Sequence, residues 1–334
     1  MACMTKPTSA PSTVKHTTLY DRLAYFPVAL FSSVMGVAGL ALAWTKASHV
    51  LGAPAEAGLL LRTAATGLYV LLLMLFLVKC VRYPQAVLAD LAHPVKINFF
   101  AAISIGLLML SMLWASDWPG LAAWLWGVGA LAHLFITLYA ISSWIFHSHY
   151  TIQHANPAWF VPVVGNILVP VAGAAFAPLE VRWFFFSIGL VFWPMMKTIV
   201  LYRLFFHEPL PPKLMPTLFI LIAPPAVGCL AYVGLVDQVD ALARILYAVA
   251  LFITLLLASN TLRFVRLTFA ISAWAYTFPL AAMALASFTM AARTGVPAYG
   301  WLAQACLAVL SVLVALLAFK TVQAARHGHI LVAD

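Results

Sequence analysis

Apolar stretches of bilayer-crossing length recur along this sequence from residue 25 to residue 320, broken only by short polar connections. A hydrocarbon core about 30 Å thick takes roughly 20 helical residues to cross. No water reaches the backbone inside it, so each stretch must satisfy its own N–H and C=O groups and folds as a helix. Composition agrees: 65% of the 334 residues are hydrophobic and 8% are charged, against about 25% charged in a soluble domain. The expected fold is an all-α integral membrane protein. Its ten transmembrane helices are read at about 25–44, 58–80, 96–116, 120–145, 157–177, 182–205, 215–236, 240–260, 267–291 and 299–320.

The opening MACMTKPTSAPSTVKHTTLY is rich in Ser, Thr and Pro and buries too little apolar surface to fold. Residues 1–20 are therefore expected as a disordered cytoplasmic tail, 21–322 as the ten-helix transmembrane domain, and 323–334 as a short cytoplasmic C-terminal tail. The first apolar run has the length of a full span and no convincing small-residue cleavage site after it, so it reads as a retained helix and not a signal peptide.

Orientation follows from Lys and Arg near the helix ends, because cytoplasmic loops carry the excess. The N-terminal side holds Lys6, Lys15, Arg22, Lys79, Arg82, Lys96, Arg203, Lys213, Arg263, Arg266, Lys320 and Arg326. The other side holds Lys46, Arg62, Arg182, Arg244 and Arg293. Twelve against five puts both termini in the cytoplasm, with the chain in the inner (cytoplasmic) membrane. The net charge of +9 is then largely the charge of the inner loops.

None of the nine acidic residues falls in the middle of an expected span. Cation channels and proton-driven pumps generally use intramembrane carboxylates, so neither class fits. Lys197 is the one base well inside a span, near enough to the end to snorkel outward. The four cysteines, Cys3, Cys80, Cys229 and Cys306, have no paired spacing and read as reduced. His147, His149 and His154 in HSHYTIQH could hold a metal, which would suit an enzyme, but membrane oxidases need several such boxes. The reading is a solvated loop, with no enzyme activity, cofactor, metal or nucleic-acid partner expected.

Prolines separate the spans into two sets. Pro27, Pro94, Pro157, Pro162, Pro170, Pro216, Pro224, Pro225 and Pro279 belong to odd-numbered spans, and Pro194 alone to an even one. Proline inside a helix removes a backbone hydrogen bond and kinks it, which a membrane tolerates only where protein or a wet cavity covers the freed groups. The odd helices are therefore expected as an inner ring around a cavity and the even helices as an outer ring facing lipid, giving five tandem helical hairpins. Phe185, on the sixth span, is expected on the outer ring.

Five pieces carry a resemblance in order along the chain: FPVALFSSVMGVAGLALAW (Phe26 to Trp44), HPVKINFF (His93 to Phe100), NPAWFVPVVGN (Asn156 to Asn166), IAPPAVG (Ile222 to Gly228) and WAYTFPL (Trp274 to Leu280). Together they resemble the tellurite-resistance and dicarboxylate transporter family, which includes the bacterial tellurite-resistance channel and the plant guard-cell slow anion channel. The resemblance implies five tandem hairpins around a pore within each subunit, a homotrimer, and a phenylalanine gate on the ninth helix, here Phe278. Pro27, Phe31, Gly36, Asn98, Phe99, Gly165, Asn166, Pro224 and Pro279 are the expected pore-lining positions, with Lys96 and Arg266 attracting anions at the mouth. Nitrate and chloride are the expected cargo; the alternative is a coupled carrier or exporter of C4-dicarboxylate, sulfite or tellurite. The chain departs from its plant relatives at Ala29 and Ser32, where they carry Gly, and at Lys96, where relatives carry Arg. Its tails lack room for a long kinase-regulated segment.

The charge count yields a direct test. With the other cysteines replaced, Cys3 and Cys80 should resist an impermeant thiol reagent added outside intact cells, and strong external labelling of either would reverse the orientation.

Overall fold

The computed structural model describes residues 22–147 and 150–332. The expected tail over 1–20, Cys3 and His149 lie outside those residues. Among the described residues every regular element is helical. Nine helices are long and apolar enough to cross a membrane: Val28–Leu51, Ala55–Arg82, Lys96–Trp114, Pro119–Phe146, Leu179–Phe206, Pro212–Val236, Ala241–Ala258, Ile271–Thr294 and Pro297–Arg326. A tenth apolar segment, Pro157–Ala172, is shorter. They are numbered here as segments one to ten in chain order, Pro157–Ala172 being segment five. The last helix runs to Arg326, into the stretch expected as a tail.

The continuous fifth helix expected over 157–177 is instead four short pieces: a 3-10 turn at Pro157–Trp159, an α-turn at Phe160–Val164, a 3-10 turn at Gly165–Ile167 and an α-turn at Leu168–Ala172. Its three prolines explain the breaks. Pro157, Pro162 and Pro170 each fall in the first turn of a piece, where an N–H has no intrahelical acceptor anyway. Each 3-10 residue rises about 2 Å against about 1.5 Å in an α-helix, so the pieces reach farther than their residue count suggests.

The same device opens every odd segment. A 3-10 stretch leads each one: Val28–Leu30, Lys96–Phe100, Pro157–Trp159, Pro212–Ile222 and Ile271–Tyr276. The even segments are unbroken α-helices. Pro224, Pro225 and Pro279 sit in the first turn of the α-helices that follow the 3-10 stretches. These prolines therefore mark junctions between two helix types and not the mid-helix kinks expected from sequence, while Pro194 and Pro216 do lie inside their helices.

Each odd segment packs along the even segment that follows it. Segment one also lies against three and nine, three meets five, and seven lies against five and nine. The most apolar windows of the four long odd segments are 56 to 78% buried, and those of the even segments 22 to 33%. Close approaches seal the odd contacts. A Cβ at Gly36 would meet Thr277 Oγ1 at 2.3 Å and Trp274 Cε3 at 2.9 Å. Phe185 corrects the expectation for segment six: it is buried, on the inward face it shares with Arg182, Phe186, Gly189, Met196, Val200 and Arg203.

Polar clamps hold both ends of the bundle. The Arg182 guanidinium donates through Nε to the carbonyl of Pro170 (3.2 Å) and through Nη2 to that of Gly234 (2.8 Å), tying segments five, six and seven. At the end where segment one begins, Lys79 is buried and donates to the Phe26 carbonyl (2.9 Å) and to Asp90 Oδ2 (2.5 Å). Asp90 also pairs with Lys96 (3.2 Å). Its short helix, Pro84–Ala92, is thereby pinned to segments one, two and three.

These contacts differ in worth. Removing one partner of a buried ion pair costs about 3–5 kcal/mol, whereas an exposed pair is worth about 0–1 kcal/mol. Asp90→Asn should therefore lower the thermal midpoint in detergent far more than Asp237→Asn, which breaks the exposed pair with Arg293; equal shifts would show that the Lys79 site is not a clamp. Gly36→Leu should destabilise by at least the 1–3 kcal/mol typical of about one overpacked side chain, read in the same assay.

Candidate functional site

All five odd segments converge on one cavity of about 70 Å³. Segment one contributes Ser32 and Met35, segment three Phe99 and Ile105, and segment five Val161, Val164, Gly165 and Leu168. Pro224 and Val227 come from segment seven, and Trp274, Phe278 and Pro279 from segment nine. No lining residue is charged. The Trp274 indole N–H is occupied by Thr321 Oγ1 at 2.9 Å, which leaves Ser32 as the hydroxyl in the wall.

A smaller cavity of about 20 Å³ is also lined by all five odd segments, from residues one to two turns farther along each: Gly39 and Leu42, Met109 and Met112, Val171, Leu230, and Ala281 with Leu285. The two cavities thus lie in series along the bundle axis. Leu168, Val227 and Phe278 line both, so this apolar layer separates them, and Phe278 is its bulkiest member. A water needs about 10–15 Å³ of such space. The larger cavity has room for several such waters, the smaller for little more than one.

Local sequence explains the position of Phe278. The 3-10 stretch Ile271–Tyr276 passes into the α-helix Thr277–Thr294, with Pro279 in its first turn. Thr277 is buried, donates to the Trp274 carbonyl (2.7 Å) and faces Gly36. Pro279 is buried on the next side. Phe278, between them, is only partly buried, and the surface it leaves open belongs to the cavities. Ser32, Val161 and Gly165 follow the same pattern of partial exposure inside a buried segment.

The structure divides the expected site residues. Phe99, Gly165, Pro224, Pro279 and Phe278 line the larger cavity. Five others lie elsewhere. Phe31 is fully buried against Phe26, Tyr69 and Phe76, packing edge-on toward segment two. Gly36 is consumed by the contact with segment nine. Asn98 is buried and donates to the carbonyls of Pro94 and Val95, both at 3.2 Å. Asn166 turns toward segment four, donating to Thr137 Oγ1 (2.9 Å) and to the Val163 carbonyl (2.7 Å). Pro27 is half-buried ahead of the first 3-10 turn. A motif on a helix marks every face at once, and only packing selects the face that meets the cavity. In their place stand Ser32, Met35, Ile105, Leu168 and Val227, ordinary residues without a sequence signal.

Of the two basic residues expected at a mouth, Lys96 is half-exposed and paired with Asp90, while Arg266 is exposed at the end of the short helix Thr261–Val265. Lys197 lies outside the cavity lining, its ammonium over the Trp193 ring at 5.5 Å. His154 accepts from the Thr151 backbone N–H at 3.1 Å through Nδ1. Among the described residues no three His, Cys, Asp or Glu side chains gather as a metal site.

One residue that the sequence reading passed over stands next to the cavity wall. His133, in segment four, is fully buried, and its ring abuts Gly165: a Cβ there would lie 2.8 Å from both Cε1 and Nε2. Its Nδ1 lies 2.9 Å from Ser104 Oγ, and Nε2 has no hydrogen-bond partner. The available signal was its isolation, since segment four contains no Asp, Glu, Lys or Arg.

Comparison with known proteins accords with this architecture. Residues 25–322 match the family described as Voltage-dependent anion channel. The chain is 28% identical over 279 residues to an S-type anion channel of Arabidopsis thaliana, a match covering 80% of this chain and 44% of that one. It is 27% identical over 280 residues to an uncharacterized transporter of Methanocaldococcus jannaschii (76% and 82% covered). It is 24% identical over 260 residues to a tellurite resistance protein TehA homolog of Haemophilus influenzae (77% and 79% covered). The chain thus spans about half the length, or less, of the plant channel it matches and most of the length of the two prokaryotic proteins. Its ten apolar segments, its uncharged cavity and the extent of that match together make it a multi-pass membrane protein of the voltage-dependent anion channel family.

Proposed function

We propose that this protein is an anion channel that passes nitrate and chloride across the cytoplasmic membrane, with both termini in the cytoplasm, through a pore within each subunit gated by Phe278. One observation carries the reading: the two cavities are in series, both are lined by the five odd segments, and Phe278 belongs to both walls. The mutual contacts and deeper burial of the odd segments support an inner ring of odd helices and an outer ring of even ones, paired as five hairpins. Exposed apolar side chains on the even helices, such as Trp124, Phe135 and Trp301, suit contact with lipid and with neighbouring subunits of a homotrimer. The activity requires no bound cofactor and no catalysis.

Selectivity follows from what the lining lacks. Without a charged ring the site binds weakly, and the ion that sheds water most easily passes best, so nitrate precedes chloride. Around Asp90, Lys79 and Lys96 supply two positive charges against one negative, and the excess at the mouth raises the local anion concentration. The tellurite-resistance relative motivates a competing reading, a proton-coupled carrier of C4-dicarboxylate, sulfite or tellurite, whose flux would saturate.

Removing the plug tests the gate. Phe278→Ala should conduct nitrate at least about tenfold better than the parent, the gain from lowering a barrier by about 1.4 kcal/mol, while Phe135→Ala, on the exposed face of segment four, should not change. Equal currents from parent and Phe278→Ala at matched incorporation would reject the gate. Reversal potentials should follow the anion gradient, and values following potassium would reject anion conduction itself.

A further inference from the structure

We infer that His133 forms a proton-linked anion subsite behind the wall of the larger cavity, with Gly165 as the gap through which its charge acts. The inference rests on reading that cavity as the anion route.

Hydrogen-bond directions define the state of the ring. The Ser104 hydroxyl donates to the Ala101 carbonyl at 2.9 Å, so its proton is committed. Ser104 Oγ can then only accept from His133, 2.9 Å away, which puts the imidazole proton on Nδ1. Nε2 is left as a bare lone pair, buried and without a donor. It lies beside Gly165, the cavity-lining position of the fifth segment without a side chain: a Cβ there would sit 2.8 Å from both Nε2 and Cε1, so the ring fills the space a side chain would take. Ile105 meets the same point from segment three and also lines the cavity.

Nothing nearby can neutralise a charge on this ring. Segments four and five contain no Asp, Glu, Lys or Arg, and segment three contains only Lys96 at its start, eight residues from Ser104 or about 12 Å along a helix. Thr137, which donates to the His133 carbonyl at 2.8 Å, is uncharged. A buried cation without a counter-charge is costly. A proton arriving at Nε2 therefore needs an anion in the cavity, and an anion in a cavity without a charged lining gains most when Nε2 carries that proton. The two bind as a pair, one positive and one negative charge separated by the glycine backbone. Acid should strengthen anion occupancy, and anion occupancy should draw a proton onto His133.

The experiment compares parent, His133→Gln and Phe278→Ala with and without His133→Gln, at about pH 4.5 and about pH 7.5, the lower value set well beneath the ordinary imidazole pKa of about 6.5 because a buried cation is costly. In detergent, nitrate should raise the thermal midpoint of the parent more at the lower pH, and His133→Gln should remove that difference while leaving a folded, monodisperse protein. In bilayers, acid should lower the half-saturating nitrate concentration of Phe278→Ala by roughly threefold or more, a factor that His133→Gln brings to about one. The remaining histidines, among them His93, His154 and His207, are present in both parent and variant, so only the difference is assigned to His133. An acid enhancement that survives His133→Gln in both assays overturns the inference. Failure of Phe278→Ala to conduct any anion overturns the channel reading instead, and the thermal assay still decides the subsite.

Discussion

Hydrocarbon tolerates no bare peptide group, and the arrangement of this molecule follows from that constraint. The odd segments change from 3-10 to α within the apolar zone, and three of them, five, seven and nine, carry eight of the eleven prolines within the ten segments. Such backbone survives only under cover. The even segments are continuous α-helices, satisfied within themselves except where Pro194 interrupts the hydrogen bonding of segment six, and can meet lipid directly. Burial follows this division, and so does the location of the cavity: the segments that need cover are the ones that enclose it. Arg182 shows the requirement at a single site, its guanidinium meeting the Pro170 and Gly234 carbonyls on two neighbouring segments.

An enclosure built this way is apolar almost by necessity. The faces that turn inward are those that pack best against one another, and they bring Met35, Ile105, Leu168, Val227 and Phe278 to the axis. Charge is held back at the end where segment one begins, in the Lys79, Asp90 and Lys96 cluster, and the imidazole of His133 stands behind the wall.

Much of this was legible in the chain, though unevenly. Ten apolar stretches, the all-helical class and the special character of the odd stretches could be read from hydropathy and proline placement. The prolines also misled, because a proline reads as a kink while Pro162, Pro170, Pro224 and Pro279 all occupy first turns, where the missing N–H costs little. Residues singled out by motif divided between the cavity and its supports. Phe99 and Phe31 are both aromatic and both stand at the start of an odd segment, yet one lines the cavity and the other packs toward segment two. Phe185 likewise sits on an even helix but faces inward.

What the sequence determined by itself was the solvent and the all-helical class, because these depend on the local length and polarity of each stretch. It also marked Phe278, through a motif next to a proline. Which side of each helix meets the axis was decided only in the folded bundle, where contacts such as Gly36 with Thr277 and Gly165 with His133 set the rotation of one helix against the next. Rotating a helix by one residue turns each side chain by about 100°, and no run of apolar residues that is hydrophobic on every side can specify that angle. The cavity, its apolar layer and the histidine behind it are therefore properties of packing, written across segments far apart in the chain.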